Sequence, residues 1–395
     1  MFEKIVLRRS DVGSALTIGE IAEAILFYQN VHLVLDYGSL IGLIKKIGMP
    51  TLLSLLSRPN VSAVYCEETL GTRTDTVGPL QIHEFVAFMF TGDQTVGQLK
   101  GSKKRLEHIV QRQGYKKKQA EKLVERFRRH VPIKKLSGDY FVTGGIVKSA
   151  LADINDQEFI HEAMRRVLAR EIDSDLVPKD FTFQVFSLGR QFQIITNIDF
   201  DLINSKRKQN AFENSNVTPA HFINNVLEAR ADTVLASHYG GDFHTSEISS
   251  SIIRLKHQEL LRRIGIDKIE LREFQDIVLD QAPSLREVLN SGERTFPEFL
   301  KVFDKSQKFR EWARGVNPDE KLVKAYFQDV TSEGWISTLP SKVIRYVLGS
   351  VATAVAPVAG AIGSFADTLV TEKILGGWRP SHFIEKKLKP FLQSD

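Results

Sequence analysis

Apolar positions change period along this chain, and the changes mark its elements. Ile5 to Arg9 has a strand-like run, and Ile18 to Phe27 places Ile18, Ile21, Ala22, Ile25 and Leu26 at helical spacing. Val31 to Leu35 (VHLVL) is a strand of the buried type, ending at Asp36. A helical pattern follows from Gly38 to Ser57, with Pro50 suited to open a renewed helix before Leu52 and Leu53. Pro59-Asn60 breaks it, and Val61 to Tyr65 reads as a third strand leading into Cys66, Glu67 and Glu68. Strands alternating with helices predict parallel pairing and a Rossmann-like α/β lobe.

Beyond the lobe the pattern is mostly helical. Thr69 to Pro79, rich in Gly and Thr, reads as a loop, and Ile82 to Ile133 as helix broken near Gly92 and Gly114. Gln157 to Arg170 is helical. Phe181 to Asp199 alternates apolar with polar residues around Leu188-Gly189-Arg190, which predicts a β-hairpin. Asn204 to Asn216 is polar and reads as a loop; Thr218-Pro219 then opens a helix that ends before Gly240-Gly241. Helices are expected at Ser250–Ile264, Leu271–Leu279, Ser284–Leu289, Phe296–Arg314 and Asp319–Val330.

The C-terminal part differs in kind. Tyr346 to Ala366 is a run of 21 residues without a charge. As one helix rising about 1.5 Å per residue it would just cross a hydrocarbon core of about 30 Å. Pro357 interrupts it, however, and the apolar series Ile362, Phe365, Leu369 continues past Asp367. The expectation is a helical hairpin, with Leu348 and Val355 on the first arm, a turn from Pro357 to Gly360, and a second arm to Leu375. Trp378 and a basic tail with Arg379, Lys386, Lys387 and Lys389 follow. Such a hairpin either packs on the body or meets a membrane or partner. The expected fold class is therefore an α/β N-terminal lobe with Rossmann-like parallel strands, a mostly helical body with a β-hairpin, and a C-terminal helical hairpin. The corresponding regions are 1–80, 81–175, 176–340 and 341–395.

Composition adds limits. With 395 residues and 42% hydrophobic content, two or three packed domains are expected rather than a disordered chain. One cysteine, Cys66, permits no intrachain disulfide and suits a reducing compartment. The opening residues hold too short an apolar run for a signal peptide. A cytoplasmic protein is expected, with membrane association as its variant form. The net charge of +5 conceals an uneven distribution: Leu99 to Lys135 holds 14 Lys and Arg against 3 Glu, a local net of +11 that leaves −6 for the rest. Lys103, Lys104, Arg105, Lys116, Lys117, Lys118, Arg126 and Arg129 are its candidate contacts to nucleic acid or to an anionic surface.

Two groups of residues invite a catalytic reading. Asp36, Glu67 and Glu68 each follow a parallel strand, where ligands gather in open α/β sheets, and two or three carboxylates there would suit Mg2+. The competing reading is ordinary polar residues where strands exit. His238 and His244 flank Gly240-Gly241, with Glu228 and Asp232 at i, i+4 before them, and could ligate Zn2+. The competing reading is a capped helix end with exposed histidines. The chain carries no P-loop, GxGxxG, GxSxG or HExxH motif. No cofactor is expected, with Mg2+ as the alternative.

Three stretches resemble uncharacterised bacterial proteins of unknown function: EIAEAILFYQNVHLVLDYGSL with SAVYCEETLGT, LEARADTVLASHYGGDFHTS, and TSEGWISTLPSK through ILGGWRPSHFIEKKLKPFL. The resemblance implies a bacterial origin and one coherent architecture, and carries no activity. The expected function is that of a non-enzymatic interaction protein presenting its apolar hairpin to a membrane or protein partner, in its most specific form a membrane-acting effector. The alternative is a metal-dependent nuclease or phosphoesterase, or a nucleic-acid-binding protein using the basic helices.

Overall fold

The structure, a computed structural model, describes residues 3–9, 15–78, 80–89, 94–209, 216–256, 272–276, 278–279, 282–316, 322–323, 325–326 and 380–393. The hairpin residues Leu348, Val355, Pro357, Ile362, Phe365 and Leu369, with Trp378, lie outside them. The chain divides into two compact units. One comprises Met1–Lys4, Thr17–Asn30 and Arg263–Asp395; the other comprises Ile5–Leu16 and Val31–Arg262.

The first unit is helical. Its helix α1 (Ile18–Phe27) opens with a capping box in which Thr17 and Glu20 satisfy each other's backbone N–H groups. It packs against the helices Leu285–Ser291, Phe296–Asp304 and Gln307–Gly315. Phe27, Phe274 and Phe309 meet edge-on or tilted in its core, and Phe383 stacks on Phe309. Arg286 reaches Glu23 at 2.8 Å.

The second unit holds a five-stranded parallel sheet built from β1 (Lys4–Leu7), β2 (Asn30–Leu35), β3 (Val61–Cys66), β6 (Ile133–Lys134) and β9 (Asp242–His244). The order is β6-β3-β2-β1-β9. β2 and β3 pair from Val31 with Val61 to Leu35 with Tyr65. Alternation puts His32 and Val34 on one face with Ser62, Val64 and Cys66, and Leu33 and Leu35 on the other with Ala63 and Tyr65. Helices cover both faces. Tyr65 meets Phe127 of α5 (Lys117–His130), and His32 stacks on Tyr239 of α9 (Pro219–Tyr239) at 3.7 Å between ring centres. This double coverage explains why β2 is apolar from Val31 to Leu35 except at His32, which is itself buried against Tyr239.

Helix α2 (Tyr37–Leu56) is interrupted at Gly48, whose φ of 74° lies in the left-handed region, and resumes at Pro50. The Met49 N–H left over at the break donates to the Tyr115 hydroxyl at 2.9 Å. α2 is long and apolar enough to cross a membrane by composition, yet its leucines are buried and it packs on β3 and α5.

Three local expectations are corrected. Thr69–Pro79 is not a loop and Ile82–Met89 is not helical: β4 (Glu68–Val77) and β5 (Leu80–Met89) form a ten-residue antiparallel hairpin. Threonine is a strand former, and cross-strand pairing outweighed a helical period that was weak over eight residues. Within the Asn204–Asn216 stretch, Asn204 to Gln209 is not loop but the end of helix α8 (Phe200–Gln209); residues 210–215 lie outside those described. The residues after Gly240-Gly241 are the fifth parallel strand, with Phe243 paired to Val6. The anticipated β-hairpin is present as β7 (Phe183–Leu188) and β8 (Gln191–Thr196). Together these strands make a second, antiparallel sheet, β4-β5-β8-β7. One face of it covers α9 and α7 (Gln157–Glu171) through Leu70, Phe85, Phe183, Val185 and Phe192.

Candidate functional site

The carboxyl ends of the parallel strands gather all three strand-end acids, and each has a structural partner. Asp36 caps α2: its Oδ1 accepts from the Ser39 N–H at 2.7 Å. Glu67 is gripped by Arg105 of α4 (Ser102–Arg112), whose Nε donates to Oε1 at 2.9 Å and Nη2 to Oε2 at 2.6 Å. Glu68 accepts from the Ser137 N–H at 2.7 Å and the Ser137 hydroxyl at 2.8 Å, fixing the start of the turn that follows β6. Hydrogen bonding to Glu67 raises the Arg105 pKa, with burial opposing it. Cys66 sits among these groups, buried, and burial pushes its thiol up to about 12, with Asp36, Glu68 and Asp139 adding to the rise against Arg8. A thiol so protonated is a poor nucleophile.

The chain reverses its direction of strand addition between β1 and β9, where an α/β sheet opens its ligand crevice. The crevice position is filled by an ion-pair cluster. Arg8 donates to Asp232 at 2.7 Å and to Glu228 at 2.6 Å, and Arg9 donates to Asp232 at 3.3 Å and to Ser249 at 3.2 Å. Thr245 adds a hydrogen bond to Asp232 at 2.6 Å. Burial pushes the Asp232 carboxyl up, but Arg9, Arg8 and the Thr245 hydroxyl outweigh it and hold it below the usual carboxylate range. Two guanidinium groups face two carboxylates, so the cluster balances its own charge and holds β1 to α9. Sequence reasoning missed this cluster. Its signal was two adjacent arginines at the end of a strand and two acids one helical turn apart.

His238 and His244 are not brought together as ligands. His238 is exposed at the end of α9, edge-on to the Tyr140 ring, whereas His244 is buried at the end of β9. The acids before them, Glu228 and Asp232, are the ones taken up by Arg8 and Arg9. Among the described residues no group of three or more His, Cys, Asp or Glu is placed to hold a metal ion. The Tyr140 and Tyr239 hydroxyls hydrogen-bond each other beside His32, whose Nδ1 lies 2.8 Å from the Ser62 hydroxyl. Burial raises both phenols, with the hydrogen bond adding to the rise at Tyr140 and opposing it at Tyr239, and such groups are suited to structure rather than to proton transfer at neutral pH.

The basic helices α4 and α5 pack against each other and are joined through Gly114. Leu106, Ile109, Val110, Ala120, Leu123, Val124 and Phe127 point into the unit. Lys103, Lys104, Lys116, Lys117, Lys118, Lys122, Arg126 and Arg129 are exposed. Arg105 is the exception, turned inward to Glu67. Of the three acids on the pair, Glu107 lies 3.7 Å from Lys103 and Glu125 lies 2.5 Å from Arg129. Neither helix has a side-chain N-cap, and both carry lysines in the first turn, where a cation opposes the helix dipole.

A second surface is apolar. The outer face of the antiparallel sheet carries Val77, Leu80, Phe88, Phe186, Leu188 and Ile195, exposed from 43% at Phe88 to 86% at Leu188. Its charges are paired locally: Arg73 lies 2.8 Å from Glu84 directly across the strand pair and 3.3 Å from Asp75. The Phe88 ring lies over Gly71, where a Cβ would stand 2.7 Å from the ring edge.

Compared with models of known families, with curated proteins and with solved structures, the chain matches none.

Proposed function

We propose that this chain is a non-enzymatic interaction protein that docks on an anionic membrane surface through the α4–α5 pair. The observation that carries the reading is the exposed row of Lys116, Lys117, Lys118, Lys122 and Arg126, on helices whose acids are few and partly engaged. Lysines at two uncapped helix N-termini are unfavourable for the isolated fold, and an anionic surface would relieve that. Each basic residue brought to an anionic leaflet contributes about 1 kcal/mol, so five give useful binding at moderate salt. The uncharged stretch 346–366 and the exposed Lys386 and Lys387 are features that a membrane partner would use and a nucleic-acid partner would not. The catalytic alternative has less support, because Asp36, Glu67 and Glu68 are occupied in capping and tethering.

Vesicle flotation tests the reading. The full chain should float with vesicles containing phosphatidylserine and remain in solution with phosphatidylcholine alone, and added salt should weaken the binding. Reversal of Lys116, Lys117 and Lys118 to Glu should abolish flotation. Tight, salt-sensitive retention of duplex or single-stranded nucleic acid, with no flotation, would replace the lipid by a nucleic-acid backbone. Ending the chain at residue 340 separates the contribution of the uncharged stretch from that of the basic pair.

A further inference from the structure

We infer that the outer face of the antiparallel sheet β4-β5-β8-β7 is the interface of a symmetric dimer, covered by the same face of a second copy of this chain. The inference stands on the sheet alone and does not depend on lipid binding. Cross-strand register fixes which residues share the face: Gln184 lies opposite Ile195, Phe186 opposite Gln193, Leu188 opposite Gln191, and Val77 opposite Leu80. The opposite face is already committed to α9 and α7. An antiparallel sheet that ends at solvent normally alternates apolar-in and polar-out. Here the outward positions of β5 are Leu80, Ile82, Glu84, Val86 and Phe88, four of them apolar. Phe186 and Leu188 continue the apolar surface on β7.

The dimensions suit a second copy. Ten-residue and six-residue strands, at about 3.4 Å per residue and about 4.8 Å apart, give a face of about 500 Å². Two such faces together remove about 1,000 Å² from water, the lower bound for a specific interface, and more once side-chain relief is counted. The charges point the same way. Arg73 is held by Glu84 and Asp75 within the face, so each of these charges already has a partner of opposite sign on its own sheet and the apolar positions dominate what is left to cover. The missing side chain of Gly71 gives the Phe88 ring its place on the face, and two such faces can pack at about 10 Å as in a sandwich. An isologous pair closes on itself and hides both apolar faces using one species.

Sedimentation equilibrium on the full chain tests this. The expected mass is twice that of the chain at high concentration. The double substitution Phe186→Asp, Leu188→Asp should weaken association at least tenfold and leave the circular dichroism spectrum unchanged, because both side chains are exposed. Leu202→Asp, at an exposed apolar position on α8, should leave the dimer intact. The inference is overturned if the wild-type chain stays monomeric throughout, or if the dimer survives the double substitution. It is equally overturned if the double substitution removes vesicle binding from a monomeric protein, which would assign the face to lipid.

Discussion

Arg105 and Glu67 form a two-point contact between the N-terminal part of α4 and the end of β3, with both side chains nearly buried. The pair turns one member of a basic cluster away from solvent and removes one acid from a strand-end group. Arg105→Ala should leave the Glu67 carboxylate without its fork of donors, and should cost about 2 kcal/mol of stability. Urea unfolding of the variant beside Lys104→Ala, which should be near neutral, checks it. Equal effects would mean that the contact carries no special weight.

The Arg8, Arg9, Glu228, Asp232 cluster should be the most sensitive polar site. Asp232→Asn leaves Arg8 and Arg9 with reduced compensation inside the unit, and a loss of about 3–5 kcal/mol is expected, less for the more exposed Glu228→Gln. The Asp232 pKa is lower folded than unfolded, so its contribution is present above the ordinary 3.8 and is lost as pH falls below it. Acid unfolding of Asp232→Asn should therefore be flatter than wild type below that point.

His83 is buried against Phe192 and hydrogen-bonded to the Thr74 hydroxyl at 2.9 Å, and burial lowers its pKa from the ordinary 6.5. The unfolded chain then binds the proton more readily than the folded one. Stability should be full above about 6.5 and should decline as pH falls below it. His83→Gln should reduce that slope between about pH 7 and 5, the range over which only the unfolded histidine charges. An unchanged slope would mean that another group carries it.

Cys66 offers a clean probe because it is the chain's one thiol. Burial keeps it protonated and inaccessible, so reaction with a thiol reagent near pH 8 should proceed only through opening of the fold. Fast stoichiometric labelling without denaturant would show an opened β3 end.

Much of the N-terminal organisation is legible in the residues themselves. Strong local signals determine α1, the strands around Val31 and Val61, the restart of α2 at Pro50, the hairpin at Gly189 and the Thr218-Pro219 start of α9. In each case the signal is short-range: a cap, a proline, a left-handed glycine or a sustained period. The exposure of the lysines on α4 and α5 was likewise readable from the apolar stripe that opposes them.

Tertiary structure alone decided the rest, because contacts between residues far apart in the chain have no local signature. Three residues from Asp242 to His244 are too few to declare a strand, and they become one only by pairing with Ile5 to Leu7. The β4–β5 hairpin formed where local preference was divided and long-range pairing settled it. The strand-end acids looked equivalent in the sequence. Which of them would cap a helix, grip an arginine or hold a turn depended on where Ser39, Arg105 and Ser137 arrived in space.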